Sequence, residues 1–373
     1  MNPFSYGTVV KEPYFFDRKE EVARIVEVLG GGNNLVLYAP RRYGKTSVVM
    51  KAIERLTAQG FVCIYFDFMT VYSRESFIEA YARAVVERQG NLSRAVETFS
   101  RLVKGIRPKL SFGPDGTPEF SVDFSAEASS DISLESVIDL PAKFSGGKKK
   151  CIVVMDEFQD IEKLNGDNFE KLLRSRIQHH TGVNYLFLGS RTHILNDMFT
   201  NKNRAFYNSS ASMTLAPLPE KETTAFLMDR FAADGIAMDE PAALKVIEEA
   251  AHIPYYIQFL ASEIWQYCVN RVEMVNGDII AACADRILDL KADYYFELFD
   301  RQTVYQKKLL RALAADASNV FSSDYANRFR LSAASTTQRA LAGLIHVGII
   351  EKSHAVYEYA DPFFRRYVLR LPA

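Results

Sequence analysis

The sequence predicts an α/β fold with a five-stranded parallel sheet, followed by an all-helical segment and a small C-terminal module of helices closed by a hairpin. Three observations carry this. Apolar runs such as Leu35-Val-Leu-Tyr38 and Cys151-Ile-Val-Val-Met155 are continuous and too short for buried helices, so they suit central parallel strands. Amphipathic helical patterns alternate with them. Beyond Pro219 the strand pattern stops and helical periodicity takes over.

Taken in order, Phe15-Phe16-Asp17-Arg18-Lys19-Glu20-Glu21 opens an amphipathic helix with Val22, Ile25, Val26 and Leu29 on one face, ended by Gly30-Gly31-Gly32. The first strand follows, and then a helix from Thr46 to about Gln59. Phe61–Phe68 is a second buried strand, and helices are expected near Arg74–Arg88 and Ser93–Lys104. Between 105 and 130 the pattern alternates through Leu110 and Phe112, a Pro114-Asp115-Gly116 turn, and Phe120, Val122 and Phe124. That reads as a hairpin inserted at the surface. After the basic run Lys148-Lys149-Lys150 comes the third core strand, then a helix over Asn168–His179. Asn184–Gly189 is the fourth strand and Met213–Leu218 a short fifth, with a polar loop over Lys202–Ser212 between them.

Four helices are expected over Glu220–Ala233, Pro241–Ala251, Pro254–Val272 and Gly277–Phe299, several with Pro near their starts. The last residues read as helices Thr303–Ala315, Ser323–Arg328 and Ala333–His346, paired strands over Gly348–Lys352 and Ala355–Tyr359, and a helix from Pro362. Two helices on a tight turn followed by a β-wing describe a winged helix-turn-helix. The expected domains are therefore 1–218 with the insertion at about 105–130, 219–300 and 301–373.

Two motifs carry chemistry. Ala39-Pro40-Arg41-Arg42-Tyr43-Gly44-Lys45-Thr46-Ser47 lies between a strand and a helix, and is a phosphate-binding loop. Backbone N–H groups and the positive end of the helix face a polyphosphate, Lys45 adds a point charge, and the Thr46 hydroxyl reaches a metal. One departure is Ala39, where the full pattern has glycine. The second motif is Asp156-Glu157 at the end of a buried strand, an acid to organise Mg²⁺ and a second acid to activate water at a γ-phosphate. Together they predict Mg²⁺-dependent nucleoside triphosphate hydrolysis. Adenine is favoured over guanine, because no Asn/Thr-Lys-x-Asp segment follows the core strands.

Composition narrows the classes. The chain has 373 residues, 48% hydrophobic, with a formal charge of −1, which argues against a general polyanion binder. The charge is uneven, since residues 301–373 carry 11 Lys/Arg against 5 Asp/Glu. Cys63, Cys151, Cys268 and Cys283 lack metal spacing and read as buried thiols of a reducing compartment. No leader pattern and no apolar run of membrane-spanning length occurs, so the expectation is a soluble cytoplasmic protein with no membrane partner.

Phe16-Asp17-Arg18-Lys19-Glu20-Glu21, the loop Ala39–Thr46, Asp156-Glu157-Phe158-Gln159, Ile177-Gln178-His179-His180, Gly189-Ser190-Arg191, Leu215-Ala-Pro-Leu218, Ile253-Pro254-Tyr255-Tyr256-Ile257-Gln258 and Asp361-Pro362-Phe363-Phe364 occur in this order. With them the chain resembles the archaeal-type P-loop ATPases of the signal-transduction (STAND) branch related to AAA+ proteins, over nearly its whole length. The resemblance implies a five-stranded core, a helical lid and a winged helix, and a nucleotide switch more readily than a metabolic enzyme. It implies Lys45 on the β- and γ-phosphates, Thr46 and Asp156 on Mg²⁺ and Glu157 on water. It places Arg191 as γ-phosphate sensor, with Ser190 as competitor, and Pro254 near the adenine. The lid lacks the Gly-x-x-Arg sensor of AAA+ machines, having Ala251-His252-Ile253-Pro254, which argues against a ring motor.

Arg174, Arg176 and Arg204 are candidate arginine fingers, although surface arginines are more often solvated. His179-His180 reads as a helix-end pair. Tyr255, Tyr256, Tyr294-Tyr295-Phe296 and Trp265 read as core. The expected function is an ATP-driven switch that moves lid and winged helix and acts on a protein client, with oligomers compatible. The alternative is a nucleotide-gated regulator whose winged helix contacts DNA through the helix opening Ser332-Ala-Ala-Ser335-Thr336-Thr337-Gln338-Arg339, with Arg328, Arg330, Lys352, Arg365 and Arg366 on phosphates.

Overall fold

The computed structural model describes residues 2–372 apart from 10–13, 104, 113–117, 125–129, 147–149, 165, 191, 272 and 354–355. Its strands are β1 Leu35–Tyr38, β2 Val62–Asp67, β3 Ile106–Phe112, β4 Pro118–Phe124, β5 Cys151–Asp156, β6 Val183–Gly189, β7 Ala211–Thr214, β8 Ile350–Ser353 and β9 Val356–Tyr359. The chain forms two compact units: one comprises Arg18–Pro40 and Lys45–Ala216, the other Met1–Asp17, Arg41–Gly44 and Pro217–Ala373.

The first unit is built on a five-stranded sheet in the order β2-β5-β6-β1-β7, with every neighbouring pair parallel. The register is what positions the site. Asp67 lies opposite Asp156, and Tyr38 opposite Gly189, so the carboxyl ends of β2, β5, β6 and β1 finish on one side of the sheet. A sheet of this kind offers its ligand crevice at the carboxyl ends of its strands, where a strand hands over to the N-terminus of a helix. Strands β1 and β5 are buried throughout, as their unbroken apolar runs require.

Beside β2 and β5 the core is aromatic: Phe66 meets Phe68, Phe77 and Tyr81 edge-to-face, Phe77 stacks on Tyr81, and Phe158 packs edge-to-face on Phe68 and tilted on Phe187. The hairpin β3–β4 is antiparallel as expected, but it is more than a surface appendage. Its base belongs to the core, with Ile106, Phe120 and Val122 buried and Phe120 against Phe99, while Leu110 and Phe112 are exposed. The expected Pro114-Asp115-Gly116 turn, and Lys148 and Lys149, lie outside the described residues.

Some elements differ from expectation. The fifth strand is Ala211–Thr214, not Met213–Leu218. Its pairing with β1 starts at Ala211 N–H on Asn34 O and ends at Leu215 N–H on Tyr38 O, after which β1 runs into Pro40 and Pro217 has no N–H to donate. Helices Ser130–Ile138, Leu140–Ser145 and Thr192–Thr200 were not foreseen.

In the second unit, helices Glu220–Ala232, Glu240–Glu249 and Pro254–Cys268 match the reading closely. The long helix expected over Gly277–Phe299 is broken at Lys291 into Gly277–Leu290 and Ala292–Asp300. Lys291 leaves helical geometry (φ −110°, ψ 11°), and its half-buried ammonium lies 3.7 Å from Asp361 and over the Phe259 and Tyr295 rings. The break turns Tyr295 inward, fully buried, while Tyr294 and Phe296 are exposed, so only the middle member of that trio is core. Trp265 is partly buried and donates to Asp234.

The C-terminal module has helices Val304–Ala315, Ser323–Arg328 and Ala334–His346, the antiparallel pair β8–β9 and helix Pro362–Arg370. This is the winged helix that the pattern predicts. Its apolar residues, Leu309, Leu313, Leu344, Phe363 and Phe364 among them, share one core with the preceding helices. Among the described residues no helix is long and apolar enough to cross a membrane.

Candidate active site

Strand β1 delivers the chain through Ala39-Pro40 to the loop, and helix Lys45–Ala58 begins directly after Gly44. Gly44 has φ +78°, a left-handed conformation that residues with a Cβ adopt at a penalty, and Arg42 also lies there at φ 72°. Lys45, Thr46 and Ser47 form the first turn of the helix, with Lys45 and Ser47 buried. Backbone N–H groups of a first turn lack intrahelical partners and carry the positive end of the helix dipole, which suits an anion.

Lys45 is the pivot of the charged cluster. Its side chain is 8% exposed, and Nζ lies 2.8 Å from both Asp156 Oδ1 and Glu157 Oε1. Asp156 Oδ1 also accepts the N–H of Glu157 at 2.8 Å, while its Oδ2 accepts the Tyr65 hydroxyl. Glu157 has φ 47°, which bends the chain off the end of β5. Its second oxygen, Oε2, takes Gln159 Nε2 at 2.5 Å, Ser190 Oγ at 2.8 Å and Ser190 N–H at 3.2 Å.

Burial alone would raise the pKa of Glu157, but the Lys45 ammonium and the donors from Lys45, Gln159 and Ser190 bring it down to about 2. It is an ionised carboxylate at neutral pH. Asp67, opposite Asp156, is pushed above the ordinary range by burial and by the carboxylates of Asp156 and Glu157, even though it caps Met69 N–H at 2.8 Å. Tyr65 is held in its protonated form by burial and by Asp156.

The cluster thus unites Lys45, Asp156 and Glu157 as the two motifs imply. It adds Ser190, which the sequence reading held as a competitor to Arg191; Arg191 itself lies outside the described residues. Tyr65, Asp67 and Gln159 were missed as site residues. The available signal was strand register: pairing β2 with β5 sets Asp67 beside Asp156 and Tyr65 two residues earlier on the same face.

Arg41–Gly44 group with the second unit, where Arg42 has several partners. Its guanidinium lies 4.9 Å from the Tyr256 ring centre and 5.4 Å from that of Tyr255. It donates to Ala360 O at 3.4 Å and stands 3.7 Å from Asp361 Oδ2, while its own carbonyl accepts Tyr255 N–H at 3.3 Å. Pro254 opens the helix carrying those tyrosines. Asp361 uses Oδ1 to cap the final helix at Phe363 and Phe364, and Oδ2 also accepts the buried Tyr295 hydroxyl at 3.2 Å.

Two finger candidates are already engaged within the chain. Arg204 pairs with Glu170 at 2.6 Å, Glu162 at 3.0 Å and Asp197 at 3.3 Å. Arg176 pairs with Glu135 at 3.2 Å and with Asp139. His180 lies between Tyr185 Oη at 2.6 Å and Asp139 at 3.0 Å as a buried linker. All four cysteines are buried free thiols.

A parallel sheet with a phosphate loop after its first strand and an acid pair at the end of the strand two places away defines a P-loop ATPase. The family comparison is specific: the model described as "ATPase domain predominantly from Archaea" matches residues 15–231, and the chain belongs to this family. A "probable winged helix domain" matches residues 293–370. No curated protein sequence matches the chain significantly.

Among solved structures, it is similar to the Walker-type ATPase PABY2304 of Pyrococcus abyssi, at 18% identity and TM-score 0.64, with 97% of each chain covered. It is also similar to the Aeropyrum pernix ORC2 protein solved with ADPNP and ADP, at 12% identity and TM-score 0.57, covering 98% of this chain and 96% of that one. The A. pernix ORC1 protein in complex with DNA follows at 16% and 0.52, covering 97% and 95%. At these identities the likeness establishes the fold.

Proposed function

We propose that the protein is a Mg²⁺-dependent ATPase that works as a molecular switch, in which the nucleotide state moves the helical lid (219–300) and the winged helix (301–373) relative to a core formed by 1–218. Residues 39–47 bind the phosphates, with Lys45 on the β- and γ-phosphates. Glu157 is the base that takes a proton from the attacking water, Arg191 senses the γ-phosphate, and Pro254 packs near adenine. Mg²⁺ would be held by Thr46 and Asp156, hard oxygen donors that suit it, and would neutralise phosphate charge. The buried Lys45–Asp156–Glu157 triangle fits this set, since a triphosphate competes with the two carboxylates for the ammonium.

The observation that carries the switch reading is Arg42. A residue of the phosphate loop shares Asp361, the cap of the last winged-helix helix, with Tyr295 and Lys291. Any rearrangement of the loop around phosphate therefore acts on a group that holds the winged helix together. The test is hydrogen exchange on the protein with Mg²⁺ and either ADP or a non-hydrolysable ATP analogue, beside a hydrolysis assay. Different protection of Ala334–His346 with the two nucleotides supports the switch, and equal protection removes it.

The DNA-regulator reading has support in the exposed Ser332, Ser335, Thr336, Gln338 and Arg339 at the start of the third helix of the module, Ala334–His346, where Thr337 is buried. It is weakened by the arginines meant for phosphate: Arg328 pairs with Asp316, Arg365 donates to Ala314 O, and Arg366 pairs with Glu249 and Asp285. Salt-dependent binding to duplex DNA would favour it. The switch reading expects a protein client and a cytoplasmic location.

A further inference from the structure

The motif reading assigns no task to Gln159. Its amide is buried, and its two ends have different surroundings. Nε2 donates to Glu157 Oε2 at 2.5 Å, whereas Oε1 has no hydrogen-bond partner among the described residues. A carboxylate only accepts, so the nitrogen is the end that must face Glu157. Oε1 rests against the backbone of Gly189: a Cβ added there would come within 2.2 Å of it. A buried amide oxygen left without a partner carries a penalty of about 1–3 kcal/mol, so the contact with Glu157 is not explained by stability alone.

The two oxygens of Glu157 have separate partners. Among the described residues Oε1 is paired with the ammonium of Lys45, a group that a triphosphate would draw away. Oε2 is held by three donors from groups that phosphate would not recruit by charge: the Gln159 amide and the hydroxyl and N–H of Ser190. We propose that Gln159 is a positioning residue that, with Ser190, anchors Oε2 of Glu157 so that Oε1 is presented to the attacking water once Lys45 turns to the nucleotide. Gly189 is the residue that leaves room for the amide. The inference rests on the hydrolytic reading, and it concerns how the base is aimed.

The test is steady-state ATP hydrolysis with Mg²⁺ by the full chain and by Gln159→Met, which keeps the length and apolar bulk of the side chain but cannot donate. The expected result is a fall in kcat of about tenfold to a hundredfold with KM changed less than about twofold, since only aim is lost. Gly189→Ala, which displaces the amide without altering Gln159, should reproduce the fall in kcat at nearly constant KM. Unchanged kcat in a Gln159→Met protein that hydrolyses ATP would overturn the anchoring role alone. A parent chain that turns over no ATP would overturn the hydrolytic reading and this inference with it.

Discussion

Lys45→Ala tests the charge cluster on two scales. In the parent one buried ammonium is 2.8 Å from each of two carboxylates. Removing it leaves Asp156 and Glu157 buried side by side with Asp67 opposite. Breaking a buried ion pair in this one-sided way costs about 3–5 kcal/mol. The displacement of the Glu157 pKa from 4.5 to about 2, the net of burial raising it and its partners lowering it, gives an independent figure of about 3 kcal/mol for the stability that the partners supply beyond the cost of burial, and Lys45 is the largest of those partners.

The sign follows from the direction of the displacement. A carboxyl with a depressed folded-state pKa contributes stability above its ordinary pKa of 4.5 and loses it as pH falls through about 2. The parent should thus show no slope from this group between pH 5 and 8. In Lys45→Ala the same carboxyl passes above its ordinary value, and the variant should lose stability as pH rises over that window. Urea unfolding of parent and variant at pH 5 and pH 8 reads both effects, with a deficit of about 3 kcal/mol at pH 8 that shrinks at pH 5. ATP affinity, measured on folded variant, should fall more than about tenfold, or about 1.4 kcal/mol. A variant as stable as the parent at pH 8, with no pH slope, would refute the buried triangle, and unchanged ATP affinity would refute the phosphate role of the loop.

Glu157→Gln should keep ATP bound and slow hydrolysis by about a hundredfold or more, since an amide cannot accept the proton of water; turnover at the parent rate in single-turnover assays would assign the base elsewhere. Arg191→Ala should weaken the preference for ATP over ADP more than it weakens ADP binding, which titration calorimetry with both nucleotides decides. Glu351 on β8 is raised by burial to about 7, with Glu358 adding to the rise and Arg42 and Arg41 opposing it. A raised carboxyl leaves stability intact below pH 4.5 and erodes it as pH climbs through about 7, so Glu351→Gln should stabilise the chain at pH 8 by up to about 3 kcal/mol and change little at pH 4.5. Equal gains at both pH values in urea melts would contradict the assignment.

Much of this molecule is legible in one dimension. The unbroken apolar runs of β1 and β5, the Gly44-Lys45-Thr46 turn and the acid pair after Met155 rest on local rules: a strand buried on both faces must be apolar throughout, and a loop that bends through a left-handed glycine must carry one. The helix starts at Pro254 and Pro362 and the capped helix after Thr303 were readable for the same reason, because their signals lie within a few residues.

What needed the third dimension depends on residues distant in sequence. Tyr65 and Asp67 join Asp156 only because β2 lies beside β5 in register, 89 residues apart at the Asp67–Asp156 pair. Ser190 and Gln159 meet on one oxygen of Glu157 because β6 ends beside β5, and Gly189 is the glycine it is because the Gln159 amide occupies the place of its Cβ. The break at Lys291 had no local mark at all, since nothing in Gly277–Phe299 opposes a continuous helix. It is decided by Asp361, 70 residues further on, whose buried carboxylate draws the ammonium and the Tyr295 hydroxyl to itself. Propensity and pattern act over a turn or two of chain, whereas a buried charge must find its partner wherever the fold brings one, and that choice is made by tertiary packing.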